Sequence, residues 1–443
     1  MDFLLINPTS PDWRVQRGTL PRKRTRIFRF SMLSSLYVAA AMPPSVKTTI
    51  LDEDVEGLDF DAKADLVGIS FMTYNAPRAY QIADEFRNRG RTVIVGGYHP
   101  SLLPEEAAMH ADAVCVGEAE TNAPRMIADF LAGSLQKFYR GGPADLSQLP
   151  VPNRKLLRNG LYAPVTAVQA TRGCRHRCRF CSVSSFFGHQ FRTRPVDDVL
   201  EELGSLGRSL LFMDDNLIAD PDYAKELFAR MIPMKKRWYS QCPVAIAYDD
   251  ELLGLAVRSG CRGLFLGLES LSDANLTRVE KTSNRAHDYE WVIRRLHGSG
   301  ISVAAGMVFG YDSDTVRSFP SALDFLLRTN ADVLQATILT PFPGTPLYDE
   351  MKEKGRITDT DWSHYNFSNV VFDPARMSAD DLRRGHAWIL RQFYSRKGVG
   401  CRMLRSAGYL PWSTIFDATL PLNLSYRARL TAEGTIRRPD HPF

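Results

Sequence analysis

Long apolar runs are missing from this 443-residue sequence. The longest, residues 32–44, carries serines and falls short of the ~20 residues that span a bilayer, so no transmembrane segment is expected. Cysteine is scarce, seven in all, and Cys115, Cys242, Cys261 and Cys401 are scattered without paired spacing. That pattern argues against a disulfide framework and fits a reducing, cytoplasmic setting. The first residues, Met1-Asp-Phe-Leu-Leu-Ile-Asn-Pro8, lack the basic stretch ahead of an apolar one that marks a secretory signal. Charge of one sign is also in short supply. The net charge is only +5, and most of the excess gathers between Arg14 and Arg29, where seven residues are Arg or Lys. Without interleaved aromatics or a named motif, that stretch makes no case for nucleic acid. A solvated loop and an anion-binding loop both stay open.

The remaining three cysteines are concentrated. Cys174, Cys178 and Cys181 lie in Thr171-Arg-Gly-Cys-Arg-His-Arg-Cys-Arg-Phe-Cys-Ser182. A structural zinc site wants four ligands in paired sets; His176 could be argued as a fourth, but no second C-x2-C exists. Three thiolates on one short loop suit a cubane iron–sulfur cluster with one iron lacking a protein ligand. Electron-transfer clusters are usually ligated in full by protein, so the vacancy points to an iron that binds a small molecule.

Around this loop the sequence alternates strand and helix. Strand patterns at 3–6, 47–51, 66–71, 92–97 and 113–116, with helices at 31–42, 76–89 and 118–133, predict a doubly wound parallel sheet over 1–140. Residues 141–160, with Pro143, Pro150 and Pro152, read as a linker. A second series follows, with strands at 165–170, 210–213, 243–247, 263–268, 301–309 and 333–339 and helices between them. It suits a partial six-stranded (β/α) barrel over 161–348, with chemistry at the carboxyl ends of its strands. Residues 349–443 read as a helical region; the aromatics from Trp362 to Trp388 and the apolar tail 408–424 either line a pocket or fill a core.

This order and the cysteine loop resemble the cobalamin-binding-domain class of radical S-adenosylmethionine (radical SAM) enzymes. The resemblance implies a 4Fe-4S cluster on Cys174, Cys178 and Cys181, with S-adenosylmethionine on the open iron. Reductive cleavage would then yield a 5′-deoxyadenosyl radical that attacks unactivated carbon, with a flavodoxin or ferredoxin as electron donor. It implies cofactor contacts residue by residue. Phe180 resembles the aromatic beside the adenine, with loop packing as the competing reading. Asp214, Asp215 and Asn216 stand where the family holds the amino group, with a helix cap as the alternative for Asp215 or Asn216. Gln241 precedes the third barrel strand and Glu269 and Ser270 end the fourth, where the ribose or methionine amine would meet Glu269, although a structural ion pair would also explain Glu269. Gly306 and Gly310 resemble the glycines of the adenine-contacting strand.

In the first domain the family's Asp-x-His-x-x-Gly is absent; Asn7-Pro-Thr-Ser stands there instead. Ser70 and Met72, with Gly96 and Gly97, resemble the serine and glycines that hold the nucleotide tail of cobalamin. His99 could reach the corrin rim, with a surface-loop histidine as the competing reading, and the basic loop could cover the corrin amides and nucleotide phosphate. The implied function is cobalamin-dependent C-methylation of a small-molecule or lipid-like substrate. Radical cyclisation, rearrangement or oxidation without methyl transfer is the alternative. A third reading, RNA binding through Arg172, Arg175, Arg177 and Arg179, lacks the usual C-terminal β-barrel.

Overall fold

The structure, a computed structural model, describes residues 1–11, 13–19, 23–30, 32–158, 160–432 and 435. The N-terminal portion runs β1 (Asp2–Asn7), α1 (Leu33–Ala40), β2 (Lys47–Asp52), β3 (Leu66–Ser70), α2 (Ala76–Asn88), β4 (Thr92–Gly96), α3 (Tyr98–Leu102), α4 (Pro104–His110), β5 (Ala113–Val116), α5 (Ala119–Leu131) and β6 (Phe138–Arg140). All six strands are parallel, in the order β2-β1-β3-β4-β5-β6. Phe3, Leu5, Leu66 and Ile94 pack on one face and Leu4, Ile6, Val67 and Val95 on the other. Burial on both faces explains why these strands read as unbroken apolar runs. The doubly wound sheet is confirmed; β6, three residues with polar neighbours, carried no such signal.

The second portion contains β7 (Thr166–Val168), β8 (Thr171–Gly173), α6 (Ser182–Phe187), β9 (Phe191–Thr193), α7 (Val196–Gly204), β10 (Ser209–Phe212), α8 (Pro221–Met231), β11 (Arg237–Cys242), α9 (Asp250–Ser259), β12 (Cys261–Glu269), α10 (Asp273–Arg278), α11 (Tyr289–Gly298), β13 (Ser302–Phe309), α12 (Ser318–Thr329) and β14 (Val333–Ile338). A parallel sheet in the order β14-β13-β12-β11-β10-β7 forms the partial barrel. The short hairpin β8–β9 brackets the cysteine loop. One strand lies elsewhere than expected. Residues 243–247 fall almost wholly in a 3-10 turn, Val244–Tyr248, and the strand is β11, where Trp238, Ser240 and Cys242 turn inward. Arg237 and Gln241 break its apolar pattern, and Pro243, without an N–H to donate, ends it.

The C-terminal region is helical as expected: α13 (Pro346–Glu353), α14 (Ala379–Phe393), α15 (Arg396–Ser406), α16 (Trp412–Thr414), a π-helical turn over Ile415–Thr419 and α17 (Leu420–Ala432). Its aromatics mostly fill core: Tyr365, Phe393 and Tyr394 are fully buried. This region also answers why the barrel stops at six strands. A free edge on β14 would present unpaired N–H and C=O groups. Instead the Tyr394 hydroxyl accepts from Leu334 N (3.1 Å) and donates to Leu334 O (2.6 Å). His386 Nε2 lies 3.0 Å from Ala336 O, and Ile338 N donates to Phe367 O at 2.7 Å. Side chains of α14 and of its C-cap Tyr394, with one loop carbonyl, thus replace a seventh strand. Tyr394→Phe strands both backbone groups of Leu334 away from water. We expect it to destabilise the barrel by roughly 1–3 kcal/mol, read as a lower urea midpoint at an unchanged slope.

Candidate active site

The loop 174–181 leaves the hairpin beside the carboxyl end of β7. Its lower end is braced by β10 and the residues after it. Asp214 Oδ1 accepts from Ala170 N (3.0 Å), Thr171 N (2.5 Å) and Thr171 Oγ1 (2.7 Å). Asp215 Oδ2 accepts from Gly173 N at 2.8 Å, and Gln241 Nε2 donates to the Asp214 carbonyl at 2.6 Å. Asp214 is wholly buried, and burial pushes its carboxyl up to about 7 against those three donors. Asp214 Oδ1 thus holds the strand end that carries the loop, while its Oδ2 is buried without a hydrogen-bond partner among the described residues. Asn216 reaches the loop directly, its Nδ2 lying 3.6 Å from Cys174 Sγ.

The loop's far end is fixed as well. Arg179 N donates to Val279 O and Leu347 N to Arg179 O, each at 3.0 Å. Ser184 Oγ donates to the His176 carbonyl at 2.9 Å, and the backbone N–H groups of Val183 and Ser184 point at Cys181 Sγ. All three thiols are free. Burial raises Cys178 to about 11 and raises Cys181, while the Lys281 ammonium pulls both back. Lys281 itself is pulled down by burial, but Glu269 and the Cys178 sulfur leave it raised overall. Among the described residues no three or more His, Cys, Asp and Glu side chains converge on one metal ion.

Above the loop lies a cavity of about 160 Å³, and Phe180, Glu269 and Gly306 all line it. Glu269 closes β12 with a left-handed backbone (φ 65°), past an irregularity in pairing with β13. Its Oε1 is 3.3 Å from Lys281 Nζ, so the ion-pair reading of Glu269 holds together with its place in the cavity wall. A Cβ on Gly306 would lie 2.5 Å from the Phe265 ring, so glycine there is what admits that ring to the cavity. Ser270 and Gly310 are not part of this wall. Ser270 Oγ accepts from Asn275 Nδ2 (3.1 Å) and Ser272 N (3.1 Å). Gly310 (φ 107°) makes a turn whose N–H donates to Asp314 Oδ2 at 3.0 Å, and it sits against Leu382 and Phe372. Its expected adenine contact is replaced by a turn and tail packing. Lys281 and Phe265 carry no local sequence signal and were missed.

In the first domain, Ser70, Gly96 and Gly97 line a slot between the sheet and α5, with Cys115, Gly117 and Ala123. Met72 is outside it and 39% exposed. The corrin-rim expectation for His99 is overturned. The ring is fully buried, its Nε2 3.0 Å from Tyr80 Oη and 3.2 Å from Glu106 Oε1, with Trp362 against its edge. A buried imidazole needs partners, and Glu106 on α4 supplies one. The basic loop is also engaged: Arg17 pairs with Asp59, and Arg26 and Arg29 donate to the carbonyls of Tyr162 and Leu161. Residues 20–22 of that loop lie outside the described residues, as do the side chains of 23–25.

The two halves meet at the cysteine loop. Arg172 is buried, with Nη1 2.8 Å from Glu118 Oε2 and Nη2 2.6 Å from Glu120 Oε1, and Arg192 also pairs with Glu118. Tyr98, directly after Gly97, stacks on Phe186 of α6 at 4.4 Å. Arg179 pairs with Glu350 at 3.0 Å. Arg172 and Arg179 are thus joined to carboxylates of the fold, while Arg175 and Arg177 are exposed.

Residues 168–326 match the Radical SAM superfamily and residues 33–127 the B12 binding domain. The chain is 32% identical over 391 residues, 84% of each protein, to bacteriochlorophyllide d C-12(1)-methyltransferase of Chlorobaculum tepidum. This chain belongs to the cobalamin-binding radical SAM enzymes. Its fold is that of the radical S-adenosylmethionine methyltransferase TsrM from Kitasatospora setae with cobalamin and a 4Fe-4S cluster bound (TM-score 0.67, 15% identity, 98% of this chain and 99% of that one). It is equally that of the cobalamin-dependent enzyme OxsB with aqua-cobalamin and S-adenosylmethionine bound (TM-score 0.68, 14% identity, 98% and 72%). The cofactors of this radical SAM enzyme are a 4Fe-4S cluster, S-adenosylmethionine and cobalamin. Its residues fit them: three free thiols on a braced loop, a lined cavity above, and a glycine-walled slot across the junction. No helix among the described residues is long and apolar enough to cross a membrane.

Asn216 generates a specific expectation. A hydrogen bond to a cluster thiolate raises the reduction potential. Asn216→Ala should leave the iron content unchanged and shift the midpoint to more negative values by some tens of mV, the one-electron equivalent of about 1 kcal/mol. An EPR-monitored redox titration measures it.

Proposed function

We propose that this enzyme methylates an unactivated carbon of a small, largely apolar molecule. One observation carries the reading. The glycine-walled slot of the B12-binding domain and the cysteine loop of the barrel share one seam, joined by Tyr98 on Phe186 and by Arg172 between Glu118 and Glu120. When bound, the cluster and S-adenosylmethionine supply one-electron oxidising power at carbon, and cobalamin supplies the methyl group.

The chain's own side chains do the remaining work. Cys174, Cys178 and Cys181 hold three corners of the cluster. Phe180, Gly306 and the carboxylate of Glu269 form the wall against S-adenosylmethionine, with Lys281 fixing that carboxylate. Asp215 and Gln241 fix the strand ends beneath it. Ser70, Gly96 and Gly97 admit the nucleotide tail of cobalamin by leaving the slot open. The apolar lining of Phe265, Phe342 and Phe367 excludes water from the reacting carbon. A tetrapyrrole of the kind named for the relative is one molecule of this class. A reduced flavodoxin or ferredoxin delivers the electron, and the setting is cytoplasmic.

The test is anaerobic incubation of the reconstituted enzyme with methyl-labelled S-adenosylmethionine, a strong reductant and a tetrapyrrole acceptor. We expect label in the product and 5′-deoxyadenosine in solution, both lost in Cys178→Ala. Label recovered only in methionine, with product formed, would replace methylation by radical rearrangement.

A further inference from the structure

From Leu146 to Val196 the chain has nine Arg or Lys and no Asp or Glu. Most of that charge is neutralised by carboxylates from elsewhere in the fold. Arg154 and Arg194 share Glu202, Arg158 pairs with Glu56, Arg172 and Arg192 meet Glu118, and Arg179 meets Glu350. Lys155, Arg175 and Arg177 are the three that stand exposed without a close acid partner. The two arginines flank His176, between the first two cysteines. Arg175 is 60% exposed, its Nη2 3.4 Å from Asp220 Oδ2 and its guanidinium over the Phe191 ring. An exposed pair of that length contributes little. Arg177 has no acid partner among the described residues.

The other sides of the cysteine loop are closed. Its inner side meets the cavity lined by Phe180, Glu269 and Gly306. Toward the B12-binding domain it is shut by Arg172 between Glu118 and Glu120 and by Tyr98 on Phe186. Toward α13 it is shut by Arg179 on Glu350 and by Leu347 N on the Arg179 carbonyl. The stretch 175–177 stays open to water, and Ser184 Oγ holds its crest through the His176 carbonyl at 2.9 Å. An electron entering from outside therefore has its shortest path across this stretch, where each arginine adjoins a cysteine. Three thiolates outweigh the positive charge of a cubane, so the loaded cluster is anionic and becomes more so on reduction. An acidic protein is repelled by such a cluster unless cations stand between them; two guanidinium groups do so and steer the encounter.

We propose that Arg175 and Arg177 form the docking patch for a small acidic one-electron carrier protein. One electron passes from the carrier's reduced centre to the oxidised cluster, and no bond forms or breaks in that step. This deepens the proposed function and rests on it for the need of an electron donor. Both arginines are docking residues: neither lines the cavity or the slot of the B12-binding domain. A nucleic acid would want a broader basic face interleaved with aromatics, so the carrier is the occupant that this narrow patch fits.

The test is stopped-flow reduction of the cluster in the reconstituted full-length enzyme. The donors are fully reduced flavodoxin, a reduced two-iron ferredoxin and the methyl viologen radical cation. Arg175→Glu and Arg177→Glu, made singly, should slow reduction by the better protein donor about tenfold at low salt, within the range of electrostatic steering. Added salt should shrink that deficit. Arg294→Glu, the same charge change on the outer helix α11, should leave the rate unaltered. Viologen, a cation, should reduce both cysteine-loop variants no more slowly than the parent enzyme, and an unchanged iron content reports that each has folded. Protein-donor rates unchanged in both variants, a deficit indifferent to salt, or an equal deficit in Arg294→Glu would overturn the proposal. Loss of salt-steep tRNA binding in the same variants, with donor rates intact, would give the patch to RNA instead. A parent cluster that viologen reduces and neither protein does would also overturn it. No methyl transfer is read here, so failure of the methylase reading shows only in the labelling test.

Discussion

The structure depends on holding a three-cysteine loop still from outside, because no fourth cysteine ties the cluster to the protein. Arg172 is the centre of that restraint. It lies two residues before Cys174 and is buried between Glu118 and Glu120 of the other domain, while Asp214 and Asp215 fix the backbone on either side of it. Removing one member of a buried ion pair leaves the other charge uncompensated, at about 3–5 kcal/mol. The network therefore does more than add stability: it makes the position of the cysteines a function of how the B12-binding domain is docked. Cofactors held on separate domains must meet within reach of one carbon, and small misplacements cost rate steeply.

The same logic explains the open barrel. A closed eight-stranded barrel fills its interior with side chains. Here the sheet ends at β14, where Tyr394, His386 and the Phe367 carbonyl take over the hydrogen bonds of a missing strand. The interior stays hollow beside β12 and β13, where Gly306 gives Phe265 room and Gly267 gives room to the folded-back Glu269 carboxylate. The C-terminal helices thus close the sheet without filling it.

Much of this was legible in the residues. The cysteine spacing is a local signal whose chemistry needs no tertiary context, and the parallel strands announce themselves as apolar runs because both faces are buried. Phe180, Glu269 and Gly306 were found together because all three sit on or beside the carboxyl ends of the barrel, where the topology sends functional groups. Failures came where a side chain's partner lies far off in sequence. His99 looked like a loop histidine, yet its environment is made by Tyr80, Glu106 and Trp362. Asp214 was placed by its resemblance to the family's amino-group site, and nothing in the sequence hinted that its Oδ1 accepts from backbone N–H groups some forty residues earlier. Lys281 comes from a loop that only the fold brings to Glu269 and the cysteines. The strand at β11 was misplaced because Arg237 and Gln241 hide its alternation.

The most direct test concerns the iron that the cysteines leave free. Anaerobically reconstituted enzyme should hold about four irons per chain on three cysteines, and its reduced cluster should show electron–nuclear couplings to 15N and 17O placed in the amino and carboxylate groups of S-adenosylmethionine. Zinc in place of iron and sulfide, or a reduced cluster whose spectrum is indifferent to the labelled cofactor, would contradict the account.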